Sequence, residues 1–245
     1  MPYIDLNADV GEECGQDAAL MRCITSANVA CGVHAGSVET MRATVLLARE
    51  YGVAVGAHPS FPDREHFGRR DMQLRAAEIT DMIIRQIDAL AGIASDEGIR
   101  LKHVKPHGAL YNVAVRDRGV ADAIAQGVVS VDRSLVLLGL PRSELLAAAH
   151  AAGLRTAGEA FADRAYRADG TLVPRTEPGA VIHDPDEVLA RIVNLAARPD
   201  VETICVHGDT PGAAELASKI RATLEAAKFE VKNLSSPGVR DERAP

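Results

Sequence analysis

The segment HVKPHGALYN, residues 103–112, concentrates ionisable side chains just after a short apolar run. In a strand, His103 and Lys105 would point to the same face, and Pro106 would then end the strand and fix the turn. A lysine here can neutralise a carboxylate or a developing oxyanion, and a histidine can transfer a proton near neutral pH. We therefore predict catalytic roles for Lys105 and His107 and a structural role for His103. The alternative is a solvated lysine beside a capping histidine.

A second polar group, DLNADVGE, lies near the N-terminus and contains Asn7 and Asp9. A carboxylate at a strand end suits a general base or a metal ligand. We predict that Asp9 is catalytic and that Asn7 lines the same site. In the alternative, Asp9 only forms an Asx turn before Gly11.

Histidines recur in the next two polar segments, ANVACGVHAGS and GAHPSFPD. Asn28 and His34 are predicted to bind substrate, and His58 is predicted to be catalytic. Asp9, His34 and His58 together form an Asp/His/His set that suits a divalent metal with open coordination positions. Their spacing matches no recognised local zinc motif, so the metal stays one of two alternatives.

Further candidates follow in REHFGRR and AGEAFADRAY. Arg69 is predicted to bind a carboxylate or phosphate group, with a solvated turn as the alternative. Glu159 is a candidate for acid/base catalysis, and Asp163 and Arg164 are predicted to contact substrate. Alternatively, Asp163 and Arg164 form a structural ion pair.

The last candidates are His207 and Asp209 in CVHGDTPGAA, predicted to bind substrate. We expect a helix to begin at Thr210 and Pro211, where free backbone N–H groups would favour an anion. Neither GxxxxGK[ST] nor GxGxxG occurs in the sequence. The chain therefore has no recognisable nucleotide-binding loop.

The elements that position these residues alternate between short apolar runs and longer segments with helical spacing, which is typical of β/α units. One helix is predicted between a Ser37 cap and Gly52, and another carries Ile79 to Ala94. Polar residues follow nearly every strand, which favours a seven-stranded parallel β/α barrel, a TIM-barrel variant, over an open sheet. The predicted strands span residues 3–8, 24–30, 53–57, 101–106, 135–140, 154–160 and 202–208.

The whole chain, residues 1–245, is predicted to form one domain, with a polar and mobile tail at about 235–245. A net charge of −7 argues against a nucleic-acid binder. No apolar run approaches membrane-spanning length and the N-terminus is acidic, so we expect a cytoplasmic protein without a membrane segment. The four cysteines lack CxxC spacing and are expected to be buried free thiols.

Taken together, the motifs are similar to those of one family. DLNADVGE, SANVACGVHAG, VGAHPSFPDREHFGRR, VKPHGALYN, EAFADRAY, LVPR and CVHGD occur in the order and spacing of the LamB/YcsF family, the A subunit of bacterial ATP-dependent 5-oxoprolinase. The resemblance covers nearly the whole chain, roughly from residue 4 to residue 209.

The resemblance implies a barrel of the glycoside hydrolase/deacetylase type. It also implies that the lactam 5-oxo-L-proline is opened to L-glutamate while ATP, as co-substrate, is hydrolysed to ADP and phosphate. Two partner subunits, B and C, are implied, and ATP would be bound with or by them. A homo-oligomer is also compatible with the resemblance.

Two other functions compete with this one. The first is a metal-dependent amidase or deacetylase that works without ATP, and the second is a non-catalytic lactam-binding or regulatory subunit. The density of ionisable groups argues against the second, because binding a small lactam needs few proton-transfer groups.

Overall fold

Seven parallel strands close into a barrel surrounded by helices, as the sequence predicts. In the computed structural model, which describes residues 1–236, each strand pairs with the next in chain order and the seventh pairs with the first. Residues 237–245, most of the predicted tail, lie outside the described residues. The strands are β1 (Tyr3–Val10), β2 (Ser26–Ala30), β3 (Ala54–His58), β4 (His103–Val104), β5 (Val136–Gly139), β6 (Thr156–Phe161), β7 (Thr203–Val206) and β8 (Glu230–Val231).

The two-residue strand β8 was not predicted. It pairs with Tyr3 and Ile4 at the beginning of β1, before the pairing of β1 with β7 starts at Asp5. Strand β4 is shorter than predicted, although the backbone N–H groups of Lys102 and Lys105 still donate to β3 carbonyls.

The helices pack around the barrel and present apolar stripes to it. As predicted, Ser37 caps α2 by accepting from the N–H of Thr40, and Gly52 ends that helix with a φ of 68°. The helices are α1 (Asp17–Leu20), α2 (Val38–Tyr51), α3 (Ala76–Asp96), α4 (Gly108–Ala114), α5 (Arg118–Val131), α6 (Glu144–Ala151), α7 (Pro185–Ala196) and α8 (Ala213–Ala226), with a 3₁₀ turn at Arg64–His66. Within residues 1–236, none of them is both long and apolar enough to cross a membrane.

The predicted start of the last helix is wrong. Helix α8 begins at Ala213, and Gly212 before it has a left-handed φ of 79°. This conformation is not helical, so the helix begins only after Gly212, and Thr210 does not cap it. Asp209 therefore lies in a turn rather than at a helix N-terminus.

The interior of the barrel is polar along β1. Alternate residues of this strand face the barrel axis, and those residues have polar side chains. Leu6 and Ala8 join the apolar core, whereas Asp5, Asn7 and Asp9 belong to a buried hydrogen-bond network. At the amino-terminal end, Asp5 accepts from the hydroxyls of three residues, Thr25, Ser26 and Thr203. Burial raises the pKa of Asp5 to about 6 despite these bonds.

All four cysteines are free, as predicted. Cys31 and Cys205 are buried, but Cys14 is exposed and Cys23 is half-buried. The expectation of uniform burial was therefore wrong for two of them. Cys14 lies in the loop between β1 and α1, where the apolar pattern of the strand has already ended.

Candidate functional site

A cavity of about 400 Å³ lies at the carboxyl ends of the strands, where β/α barrels carry their active sites. This volume is within the range of small-molecule sites. Asp9, His58 and Lys105 line its floor, and residues of the segment between β6 and α7 line one side.

Lys105 is the centre of the floor and is only 2% exposed. Its Nζ donates to Asp9 Oδ1 at 2.9 Å, lies 3.0 Å from Glu159 Oε1, and donates to Cys205 Sγ at 2.9 Å. Burial lowers the pKa of Lys105, but the charge of Asp9 and the contacts with Glu159 and Cys205 together outweigh it, and the pKa lies well above 10.5. The lysine is therefore a fixed cation between two carboxylates.

The contact with Lys105 also affects the protonation state of Asp9. Burial raises its pKa, but His58 and Lys105 outweigh burial and hold the pKa well below its usual value. Asp9 is thus an anion, and its Oδ1 also accepts from Asn28 Nδ2 at 2.9 Å. These contacts replace the Asx turn considered above.

Beneath Lys105, a row of buried side chains supports the floor from inside the barrel. Asn7 donates to Glu159 Oε1 at 3.1 Å and accepts from Asn28 at 2.7 Å, while His103 Nε2 lies 2.8 Å from Asn28 Oδ1. Glu159 contacts Lys105 from below. It is fully buried and does not line the cavity. None of these four residues lines the cavity.

Next to Asp9, three histidines and a glutamate form a compact buried cluster: Glu12, His34, His58 and His107. One nitrogen or oxygen from each lies within 4.8 Å of the others, so the group could hold a metal ion. Asp9 Oδ2 lies 3.4 Å from His58 Nε2, but Asp9 is not part of this four-residue group. The structure thus groups His34 and His58 with Glu12 and His107.

Burial dominates the electrostatics of this cluster. It lowers the pKa of His34 to about 3 and that of His107 well below 6.5, since burial disfavours a charged imidazole. It raises the pKa of Glu12 well above 4.5, and the Asp9 charge adds to this effect.

His207 and Asp163 form a second pair at the cavity wall. Nδ1 of His207 lies 2.8 Å and 3.1 Å from the two carboxylate oxygens of Asp163, and Phe161 stacks on the ring at 5.3 Å. Burial raises the pKa of Asp163, but His207 outweighs it and the pKa is lowered. A carboxylate on Nδ1 leaves Nε2 as the second nitrogen for proton transfer.

The remaining predicted residues lie at the rim. Arg69 forms an ion pair with Asp209, whose other oxygen is 4.0 Å from Arg175. Arg164 lines the cavity, but its guanidinium donates to the carbonyls of Val173 and Ala180, so it also fastens the segment between β6 and α7. It therefore does not form the ion pair with its neighbour Asp163 considered above.

Sequence reasoning missed Glu12 and Arg175. Glu12 follows Asp9 by three residues in DLNADVGE, so the quoted motif already contained it. The turn at Gly11, with a φ of 71°, follows the end of β1, and the side chain beyond it meets His34. For Arg175, nothing in the sequence indicated a site role other than its place in the LVPR motif.

A comparison with protein-family models supplies the classification. The model described as the LamB/YcsF family matches residues 4–238. The chain belongs to the LamB/YcsF family. This membership confirms the resemblance seen in the sequence.

Solved structures agree with this assignment. The chain is similar to a lactam utilization protein from Thermus thermophilus, with 42% identity, a TM-score of 0.85, and coverage of 94% of this chain and 99% of that one. A peptidoglycan N-acetylglucosamine deacetylase catalytic domain from Eubacterium rectale has 12% identity and a TM-score of 0.54, covering 96% and 90% of the two chains. A polysaccharide deacetylase from Bacillus cereus has 12% identity and a TM-score of 0.51, covering 99% and 98%. The two deacetylases share the fold.

Proposed function

We propose that this LamB/YcsF chain is the hydrolytic A subunit of an ATP-dependent 5-oxoprolinase, which opens 5-oxo-L-proline to L-glutamate with partner subunits B and C. The observation that carries the proposal is the cavity in which an anionic Asp9, a cationic Lys105 and the His207–Asp163 pair converge. Family membership and the similarity to a lactam utilization protein support the choice of substrate.

The chemistry explains why ATP is needed. A five-membered lactam is a stable amide with a poor leaving group, and transfer of the γ-phosphoryl group to its carbonyl oxygen makes the carbon electrophilic. Water then adds to that carbon, the C–N bond breaks, and the nitrogen takes a proton. A second water releases phosphate from the resulting acyl phosphate, so lactam, ATP and two waters give glutamate, ADP and phosphate.

We assign Asp9 to orient and deprotonate the attacking water. Its low pKa makes it a weak base, but an activated carbon needs less basic assistance than a free amide. Lys105 fixes this carboxylate at 2.9 Å and places a positive charge close to the negative charge of the phosphorylated lactam.

We assign the ring-nitrogen proton to His207. His107 has both ring nitrogens engaged, by Phe67 O at 2.8 Å and His58 Nε2 at 2.9 Å, and Glu159 does not line the cavity. His207 faces the cavity, and Asp163 holds its ring. Arg69 and Arg175 at the rim supply the charge that a substrate carboxylate needs.

Reconstitution with purified B and C subunits tests this proposal. Glutamate and phosphate should appear together from 5-oxoproline and ATP. Asp9→Asn and His207→Gln should lower kcat by ~10²–10⁴-fold, while exposed His183→Gln should match the wild type.

Two outcomes would contradict the proposal. Amide hydrolysis by this chain alone, without ATP or partners, would instead identify the amidase considered above. Variants that change lactam binding and leave kcat intact would identify a binding subunit.

A further inference from the structure

Two buried histidines face each other with lone pairs. His58 Nδ1 lies 2.7 Å from the carbonyl oxygen of Lys105, and His107 Nε2 lies 2.8 Å from that of Phe67. A carbonyl oxygen only accepts, so both outer nitrogens carry hydrogen, and in a neutral imidazole the other nitrogen then bears a lone pair. His58 Nε2 and His107 Nδ1 are 2.9 Å apart. Two lone pairs at this separation repel each other unless a cation lies next to them.

Glu12 adds an oxygen to the same point. Its Oε1 lies 3.1 Å from His34 Nε2, 3.4 Å from His107 Nδ1 and 3.9 Å from His58 Nε2. A proton shared by His58 and His107, together with an Nε2–H of His34 donated to Glu12, would relieve these contacts pair by pair, whereas one cation at the shared point relieves all of them together. All four residues are at most 6% exposed, so bulk solvent screens these contacts only weakly.

We infer that Glu12, His34, His58 and His107 bind one divalent transition-metal ion, through Oε1, Nε2, Nε2 and Nδ1 respectively. Three imidazoles and one carboxylate suit zinc and its first-row neighbours better than calcium or magnesium, which prefer oxygen ligands. Ligand atoms about 2.0–2.1 Å from a tetrahedral zinc lie roughly 3.3 Å apart, and the cluster's closest separations lie on both sides of that value, from 2.9 to 3.9 Å.

The surroundings resemble those of metal-ligating histidines, which usually donate their second ring N–H to a carbonyl or carboxylate. His58 and His107 both do so. His34 stacks on His107 with ring centroids 3.9 Å apart, and its Nδ1 is buried without a hydrogen-bond partner among the described residues. Its ring is thus oriented by stacking.

This ligand set differs from the one predicted from the sequence, which contained Asp9. Oδ1 of Asp9 is already bonded to Lys105 and Asn28, and its Oδ2 lies 3.4 Å from His58 Nε2. Asp9 is therefore a neighbour that positions His58. The metal site is inferred from the geometry of the cluster alone. A test that refutes it would therefore leave the proposed ATP-dependent reaction untouched, and the reverse also holds.

Metal binding by the full-length chain tests this inference without any activity assay. The protein is stripped with a chelator, titrated with Zn²⁺ or Co²⁺, and followed by elemental analysis, Co²⁺ absorption bands and thermal unfolding. We expect about one ion per chain and a higher Tm with metal. Glu12→Gln and His34→Gln should each weaken affinity by more than ~100-fold, because even outer-shell partners contribute ~10–100-fold.

Two further variants complete the test. Asp9→Asn should weaken affinity by no more than ~10–100-fold, as an outer-shell partner, and exposed His150→Gln should leave it unchanged. An apoprotein that binds none of Zn²⁺, Co²⁺, Mn²⁺ or Ni²⁺ at one per chain would overturn the inference, since a shared proton would then separate the histidines. A larger loss for Asp9→Asn than for Glu12→Gln would also overturn it and restore the Asp9 set. Far-UV circular dichroism identifies any variant that fails to fold, and the other ligand variant then decides.

Discussion

Replacing Lys105 by methionine should strongly destabilise the barrel, because it removes the cation shared by two buried carboxylates. Lys105 is 2% exposed, Asp9 5% and Glu159 0%. Removing one partner of a buried ion pair costs about 3–5 kcal/mol, mostly as the penalty of the charge left behind. For a chain of this size, each kcal/mol lowers Tm by about 2–4 °C, so Lys105→Met should unfold roughly 6–20 °C below the wild type.

The loss should depend on pH in a defined direction. Lys105 helps to hold the folded-state pKa of Asp9 well below its usual value, so this contribution is present above the unfolded pKa of about 3.9 and is lost as pH falls through the folded value. In the wild type this contribution is therefore constant between neutral pH and pH 4. In Lys105→Met the buried Asp9 has lost a cation that lowers its pKa, so it takes up a proton at higher pH. The free-energy gap between wild type and variant should thus be largest at neutral pH and shrink towards pH 4.

Urea unfolding at several pH values measures this gap, with exposed Lys102→Met as the matched control. Lys102→Met should stay within about 0.5 kcal/mol of the wild type. Adding Glu159→Gln to Lys105→Met should recover at least ~1 kcal/mol, since one buried charge disappears. A loss below ~1 kcal/mol for Lys105→Met, or strictly additive effects in the double variant, would refute the shared-cation interpretation.

Three further predictions concern backbone, core and site. Gly108→Ala should cost about 1–3 kcal/mol more than Gly170→Ala, because both have positive φ but only the Gly108 Cβ would meet a backbone oxygen, that of Gly68 at 2.5 Å; equal unfolding free energies would contradict this. Asp5, with a pKa raised to about 6, stabilises the fold below about pH 4 and loses that contribution as pH rises through 6. Asp5→Asn should therefore gain about 2–3 kcal/mol relative to the wild type between pH 4 and 7, and a flat difference in urea unfolding would exclude the assignment. Asp163→Asn should lower kcat of the reconstituted enzyme more than it changes KM, whereas an effect on KM alone would place His207 in binding.

The sequence predicted the barrel well because periodicity and strand-end polarity are local signals. Each predicted strand corresponds to an observed one, and Ser37 and Gly52 bound their helix as expected. The start of α8 was predicted wrongly because Thr-Pro resembles the beginning of a helix. The left-handed Gly212, after which the helix begins, is not marked by any neighbouring residue in the sequence.

Within the site, residue type indicated which side chains come together better than where each of them lies. The alternation of β1 and β6 indicates which side chains face the axis but not how deep they lie, so Glu159 was expected to act on substrate although it lies beneath Lys105. Glu12 was missed because its place in the cluster depends on the turn at Gly11, whose direction no periodicity encodes. Distances between segments far apart in the chain come only from the closed barrel.

Asp9 joins two charge systems that would otherwise be separate. Its Oδ1 belongs to the buried network of Lys105 and Asn28, while its Oδ2 faces His58 and through it the cluster with Glu12. A neutral side chain at this position would weaken both systems at once. Lys105→Met perturbs the first system directly and Glu12→Gln the second, so measuring unfolding and metal affinity in both variants separates the two contributions that Asp9→Asn combines.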